Sequence, residues 1–266
     1  LFVSSRNEFI EARKHESQLL DTIFKGYDKR VRPVEDYHSS VVVNFSISFQ
    51  QILKVDEKNQ VITSNISVVR GQVWAPDVHL YNSASFDKQV GSQIRNVITK
   101  DGIIMDVVPM LMKSTCKIDV TWFPFDEQKC LLAFGSWSLP AKFLQIQTND
   151  RAQDINYDFV QNEEWKILGI TAENTYNYYP CCPDDEYIKI VYTIHLKRRT
   201  FYYFFNLLVP CGLIGFLAVL GFTLPPDSGE KLPLGATILF SLIVFLNMIG
   251  QSMPANSDAV PLLGII

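Results

Sequence analysis

Hydropathy divides the chain into two unlike parts. From Leu1 to Leu196 apolar and polar residues interleave, whereas from Phe201 onward the sequence is overwhelmingly apolar. The run FYYFFNLLVPCGLIGFLAVLGFTL, Phe201 to Leu224, holds no charge across 24 residues, which as a helix crosses a hydrocarbon core of about 30 Å with some tilt. After a short polar turn, LPLGATILFSLIVFLNMIG from Leu232 to Gly250 is a second uncharged run of 19 residues, and AVPLLGII opens a third apolar segment inside which the chain ends. The expectation is a first transmembrane helix over 201–224, a second over 231–251, the start of a third over 259–266, and a bundle that is cut short.

In the first part the period is different. Between about Asn7 and Tyr27 apolar groups recur at Phe9, Ala12, Leu19, Leu20, Ile23 and Phe24, the spacing of an amphipathic helix, which should end near Gly26. Beyond RVRPVED, alternation takes over. SVVVNFSISFQQILKVD and QVITSNISVV flank the charged turn DEKN, and CKIDVTW, KCLLAFGSW, FLQIQT, EWKILGITAEN and IKIVYTIHL follow at strand length with turn residues between them. Many short strands of this kind predict a β-sandwich. The fold class expected is therefore an α+β membrane protein: a mainly-β sandwich with an N-terminal helix over 1–199, then transmembrane α-helices over 200–266. There is no repeat, low-complexity tract or flexible linker, and at Arg199 and Thr200 the last strand runs straight toward the membrane.

Composition decides which side the first part occupies. The charge-bias rule would place Lys197, Arg198 and Arg199 in the cytoplasm, but long domains translocate largely regardless of it. Four of the five cysteines lie in the polar part as two possible pairs, as expected where disulfides persist, and two glycosylation sequons begin at Asn44 and Asn65. Residues 1 to about 198 are therefore expected outside, with LFVSS as the remnant of a removed signal peptide. Setting aside Lys197, Arg198, Arg199, Lys231, Asp227, Glu230 and Asp258 leaves this part 20 basic and 25 acidic residues. A mildly acidic exterior favours cations over nucleic acid, although an ordinary solvated surface has the same balance. Enzyme chemistry has no motif to carry it: His15, His38, His79 and His195 lack metal-ligand spacing, and no phosphate loop, nucleophile elbow or zincin helix is present. No cofactor is expected.

Cys116 and Cys130 enclose KIDVTWFPFDEQK; joining them would close a compact loop, a staple of about 3 kcal/mol. With WFPFD inside it, this stretch resembles the Cys-loop family of pentameric ligand-gated ion channels. VDEKNQV, WAPDVHLYNSA, IDVTWFPFDEQKC, FGSWS, YYPCC, PPDSGEK and MPANSDAVPLL together are similar to nicotinic acetylcholine receptor subunits over nearly the whole chain. The adjacent cysteines mark an alpha-type subunit, and FYYFFNLLVPCG with FLNMIGQSMPANSDAVPLLG resembles nematode subunits responding to choline or betaine.

The resemblance implies a disulfide between Cys181 and Cys182 at the tip of a hairpin that folds over the ligand. It carries Tyr81, Trp137, Tyr179 and Tyr187 onto an aromatic cage for a quaternary ammonium neurotransmitter. Each ring face supplies about 0.5 to 2 kcal/mol by cation–π attraction. A zinc site at the adjacent thiols is the rival chemistry, but no further Cys or His nearby completes a tetrahedral set.

In the second apolar run, spacings of three and four place Glu230, Pro233, Thr237, Phe240, Val244, Met248 and Gln251 on one face. In a pentamer of homologous subunits within membrane lipid, that face would line a pore. A ring of Glu230 at the cytoplasmic mouth would favour cations, and a ring of Phe240 would close the pore by dewetting. Relatives usually carry Leu at Phe240, a small polar residue at Pro233 and often an acid at Gln251. Binding is expected to reach the pore through Glu57, the Cys-loop tip with Phe125 and Asp126, and Arg198, acting on PANSD beyond the second helix.

One gap sets this chain apart. Between TSNISVV and GQVWAPD stands only Arg70, where relatives carry a longer segment with an aromatic that completes the site of the neighbouring subunit. A principal ligand-binding face is expected here rather than a complementary one, with sheet edges left unpaired. The function implied is a subunit of an acetylcholine-type cation channel at the plasma membrane, postsynaptic or elsewhere on the cell surface. The alternative is a variant subunit that assembles with full-length partners without conducting. An anion-selective relative is disfavoured by Glu230.

Overall fold

A computed structural model describes residues 6–68, 74–85, 97–99, 104–105, 108–148, 160–225 and 229–252. In chain order these form helix α1 (Arg6–Ile23), then strands β1 (Val41–Asn44), β2 (Ser48–Asp56), β3 (Val61–Val68), β4 (Val78–Leu80), β5 (Val97–Ile98), β6 (Ile104–Met105) and β7 (Val108–Thr115). Strands β8 (Glu127–Ser136), β9 (Leu144–Gln147), β10 (Trp165–Tyr179) and β11 (Cys182–Arg198) follow. The chain continues through the short helix α2 (Phe201–Tyr203), a π-helical turn over Phe204–Leu208, α3 (Val209–Thr223) and α4 (Lys231–Ser252).

The sandwich is built from alternation. One sheet has the order β2-β3-β7 and the other β10-β11-β8-β4, all antiparallel. In β11 the even positions Ile190, Tyr192, Ile194, Leu196 and Arg198 are buried, while the odd positions between them are less so. A strand's period of two thus sends one set of side chains into the core and leaves the other set for a second task. Phe49, Ile52, Ile62 and Ile66 join Leu132, Phe134, Ile190 and Ile194 in one buried cluster, each apolar side chain contributing about 1.5–3 kcal/mol.

Two sequence expectations are corrected. SVVVNFSISFQQILKVD is two strands: β1 pairs in parallel with β9, whereas β2 pairs with β3. The run breaks where both Phe45 and Ile47 are buried and the Phe45 N–H donates to the Gln147 carbonyl at 2.8 Å. CKIDVTW forms no strand. Ile118 and Val120 are buried as its alternation requires, but the Asp119 N–H donates to the Gln128 side chain at 2.9 Å and the Thr121 N–H to the Asp119 carboxylate at 3.0 Å. Those bonds consume donors that a ladder would need. The first membrane run is helical from Phe201 to Thr223 and contains a π turn shortly before Pro210. Proline has no N–H for the Asn206 carbonyl and its ring crowds that oxygen, so the widened turn accommodates it.

Phe201–Thr223 and Lys231–Gln251 are each long and apolar enough to cross a membrane. Gly229, with φ +64°, makes the turn between them in a backbone region that favours glycine. Helix α4 packs on the first span through Leu234, Ile238, Ser241, Phe245 and Ile249, the half-buried or buried positions along it. α1 leaves Leu19, Leu20 and Ile23 exposed and is followed by Tyr27, whose hydroxyl accepts the Trp74 N–H at 2.6 Å. The expected third helix at 259–266 and the PANSD segment lie outside the described residues.

Candidate functional site

Four aromatic side chains from three segments gather on the outer face of the four-stranded sheet. The rings of Tyr81 and Trp137 lie 5.7 Å apart, and those of Tyr179 and Tyr187 5.4 Å apart, edge to face. Lys189 joins the two pairs: its Nζ is 3.9 Å from the Tyr81 ring centre and 5.3 Å from that of Tyr179. Tyr187 and Lys189 are two residues apart on β11, hence on one face. Trp137 is 72% exposed whereas Tyr187 is buried, so the cluster has a closed inner wall and an open outer one. The Tyr179 hydroxyl is out of contact with solvent and has no hydrogen-bond partner. Burial pushes the Tyr81 phenol well above its ordinary pKa, and its hydroxyl donates to the Ser136 carbonyl at 2.7 Å.

Strand register places these groups. Lys189 on β11 and His79 on β4 both stand opposite Gly135 on β8. A Cβ on Gly135 would come within 3.0 Å of the Ile188 carbonyl, Lys189 Cγ and Tyr81 Cε2. Only glycine lets the lysine stem and the tyrosine ring close over this point.

Asp77 holds the loop that carries Trp137. Its carboxylate accepts from Ser136 Oγ at 2.5 Å, the Trp137 N–H at 3.1 Å, and the Ser138 N–H and Oγ, each at 2.8 Å. Burial pushes this carboxyl up, yet the hydrogen bonds from Ser136 and Ser138 outweigh it and hold the pKa below the ordinary value. Neither Asp77 nor Lys189 was among the residues singled out from sequence. Asp77 lies within WAPDVHLYNSA, but its partners are some 60 residues away.

At the hairpin tip, Cys181 and Cys182 are two thiols with sulfurs 2.9 Å apart, not the disulfide expected from the resemblance. Cys182 Sγ–H donates to Cys181 Sγ, and that bond, which needs the thiol protonated, raises the Cys182 pKa. Across the sandwich, Cys116 and Cys130 are joined as the loop predicted. Lys142 Nζ reaches Asp185 at 2.6 Å, tying the segment after Trp137 to the hairpin. Of the two sequons, Asn44 is exposed at the end of β1, while Asn65 is half-buried on β3 with strands on both sides.

A second cluster lies at the other end of the sheet. The Arg198 side chain is buried, bonds to Asp126 through Nε at 2.6 Å and Nη2 at 2.9 Å, and pairs with Glu57 through Nη1. It is enclosed by the rings of Trp165, Phe123 and Tyr203, 4.3, 4.8 and 5.2 Å from the guanidinium. Burial works against the charge on Arg198, but the two carboxylates more than compensate and raise its pKa; burial pushes Glu57 above the usual carboxylate range despite its partner. Three of the four residues expected to relay binding thus meet here. Phe125 does not, being 60% exposed, and Phe123 occupies the inner position.

The predicted pore face of α4 is exposed throughout, at Glu230, Pro233, Thr237, Phe240, Val244, Met248 and Gln251. At 3.6 residues per turn it lies about a quarter to a third of a revolution from the face packed on the first span. The Thr237 hydroxyl donates back to the Pro233 carbonyl at 2.9 Å. Gln251 and Tyr203 line a cavity of about 770 Å³ together with Asp56, Glu57 and Glu164. The C-terminal end of α4 therefore adjoins the sandwich, and Glu230 lies at the opposite end, just before the helix begins.

Comparison with known proteins accounts for this arrangement. The neurotransmitter-gated ion-channel ligand binding domain matches residues 16–71 and 63–200, and the neurotransmitter-gated ion-channel transmembrane region matches residues 207–266. The two ligand-binding matches overlap around Arg70, where relatives were expected to carry a longer segment. The chain is 38% identical over 274 residues to the acetylcholine receptor subunit alpha-type acr-16 of Caenorhabditis elegans, covering 94% of this chain and 55% of that protein. It is 39% identical over 275 residues to neuronal acetylcholine receptor subunit alpha-9-I of Oncorhynchus mykiss, with 94% and 48% covered. With the alpha-9 subunit of Homo sapiens it shares 36% over 289 residues, with 99% and 60% covered. The chain spans about half the length of the curated relatives it matches. It belongs to the neurotransmitter-gated ion-channel family.

Proposed function

We propose that this chain is a subunit of a neurotransmitter-gated cation channel in the plasma membrane, opened by a quaternary ammonium of the acetylcholine, choline or betaine type. Residues 1–199 form its extracellular ligand-binding domain and 200–266 its membrane part, and it assembles with homologous subunits as a pentamer. The observation that carries the reading is the ring cluster of Tyr81, Trp137, Tyr179 and Tyr187 beside Cys181 and Cys182. A cation between aromatic faces is held by their negative quadrupoles. In this reading an oxidised dithiol of the secretory pathway takes up two electrons and two protons from the two thiols, which form a vicinal disulfide that stiffens the hairpin, and the complementary face comes from a neighbour. Glu230, Pro233, Thr237, Phe240, Val244, Met248 and Gln251 line the pore. Glu57, Asp126 and Arg198 link the cage to the membrane, and Asn44 is the better-placed glycosylation site.

Agonist-evoked current is the test, in cells producing this chain alone and beside a full-length alpha-type subunit. Trp137→Ala should lower agonist sensitivity about tenfold or more, on the scale of a lost cation–π contact; unchanged sensitivity would refute the reading. The division of the ligand-binding match into two overlapping parts around Arg70 favours a second reading, a subunit that assembles without conducting. Its signature is a partner's current reduced by co-expression, with no current from this chain alone.

A further inference from the structure

The place between the rings is already taken by a charge. Lys189 Nζ sits 3.9 Å over Tyr81 and 5.3 Å from the centre of Tyr179, and its stem crosses Gly135, where no Cβ would fit without displacement. Its contacts among the described residues include no carboxylate. Those nearby are engaged elsewhere: Asp185 with Lys142, Glu186 with the Tyr178 hydroxyl at 2.7 Å, and Asp77 with the Trp137 loop. Other lysines of the domain behave differently, Lys54 pairing with Asp56 and Lys197 with Glu127.

We infer that Lys189 sets the ligand specificity of this cage, selecting a quaternary ammonium that also carries a carboxylate over one that is only a cation. The inference rests on the proposed reading of the cage as the ligand site. A bare cation entering these rings meets an ammonium on the same two faces, and like charges about 4 Å apart repel even in a partly solvated site. A zwitterion removes the conflict. Its carboxylate draws Lys189 Nζ off Tyr81 into an ion pair, and the vacated face receives the ligand's own ammonium. The unpartnered Tyr179 hydroxyl supplies a further donor for the same carboxylate.

The experiment is equilibrium binding of choline, acetylcholine and glycine betaine to membranes from cells producing the full chain beside a full-length alpha-type subunit. Wild type is compared with Lys189→Gln, Lys189→Arg and Trp137→Ala, each matched for surface amount. Wild type should bind betaine roughly tenfold tighter than choline. Lys189→Gln should cancel or reverse that ratio, while Lys189→Arg should keep it. Trp137-dependent binding whose betaine-to-choline ratio is unchanged in Lys189→Gln overturns the inference and leaves the cage reading intact. The wild-type ratio decides even where that variant fails to reach the surface, since choline bound as tightly as betaine overturns it. Absence of any Trp137-dependent binding overturns the cage reading and the inference with it.

Discussion

Asp77 shows how one side chain fixes a site without being one of its rings. With four donors from Ser136, Trp137 and Ser138 on a single carboxylate, the loop bearing Trp137 depends on that group being ionised. Its folded pKa lies below the unfolded value of 3.8, so the stabilisation is complete above that value and is lost as pH falls through the folded pKa. The Trp137 contribution to fluorescence, taken as the difference from Trp137→Phe, should stay constant from neutral pH to about pH 5 and change only below pH ~3.8. A transition centred above pH 5 would contradict the assignment. The aromatic residues were legible in the sequence because each stands in a short stretch with its own signature, such as FGSWS or YYPCC. Asp77 and Lys189 were not, because what each does is decided by a partner on another strand: the Trp137 loop for the first, Gly135 and Tyr81 for the second.

Among the elements, β8 and β11 have matching ends. Paired from Glu127 to Gly135 and from Lys197 to Lys189, they carry Trp137 and Lys189 at the cage end and Asp126 and Arg198 at the membrane end. The cluster there is asymmetric, one guanidinium serving two carboxylates of which Glu57 is pushed toward its neutral form by burial. Arg198→Gln leaves the acids without their cation and should cost about 3–5 kcal/mol. Glu57→Gln should cost less than Asp126→Asn, since Glu57 makes one of the bonds to Arg198 and Asp126 two. Thermal unfolding of the detergent-solubilised chain orders the three; a Glu57 variant weaker than the Arg198 variant would contradict the hierarchy. Strict alternation made β8, β9 and β11 legible beforehand. It misled at CKIDVTW, where the apolar positions are buried as expected but side chains take the backbone donors. It was silent on β7, whose start, VPMLM, has no alternation, and on β4, which is three residues long.

For the whole molecule, the two candidate sites stand at opposite ends of the paired strands β8 and β11, and the two spans follow at the Arg198 end. The cage is at one end, the Arg198 cluster adjoins the first span, and α4 runs from Gln251 near the sandwich to Glu230 at the far end. Glu230→Ala should therefore move the reversal potential, measured under a salt gradient, away from the cation equilibrium potential and toward zero, while agonist sensitivity stays the same. An unchanged reversal potential would remove Glu230 from the pore mouth. The apolar runs made both spans legible, whereas the π turn before Pro210 needed the backbone to be seen. Continuity between cage and membrane also restricts what the gene can tolerate. Lys189 faces outward and Arg198 inward because their positions on one strand differ by an odd number, and a single insertion or deletion between them would turn one of the two onto the wrong side of the sheet. Length changes in this stretch are admissible only in pairs, and only if β8 changes alongside. Drift in the size of this domain is thereby channelled into its loops and the hairpin tip, and the distance from the ring cluster to the Arg198 cluster becomes a fixed gauge.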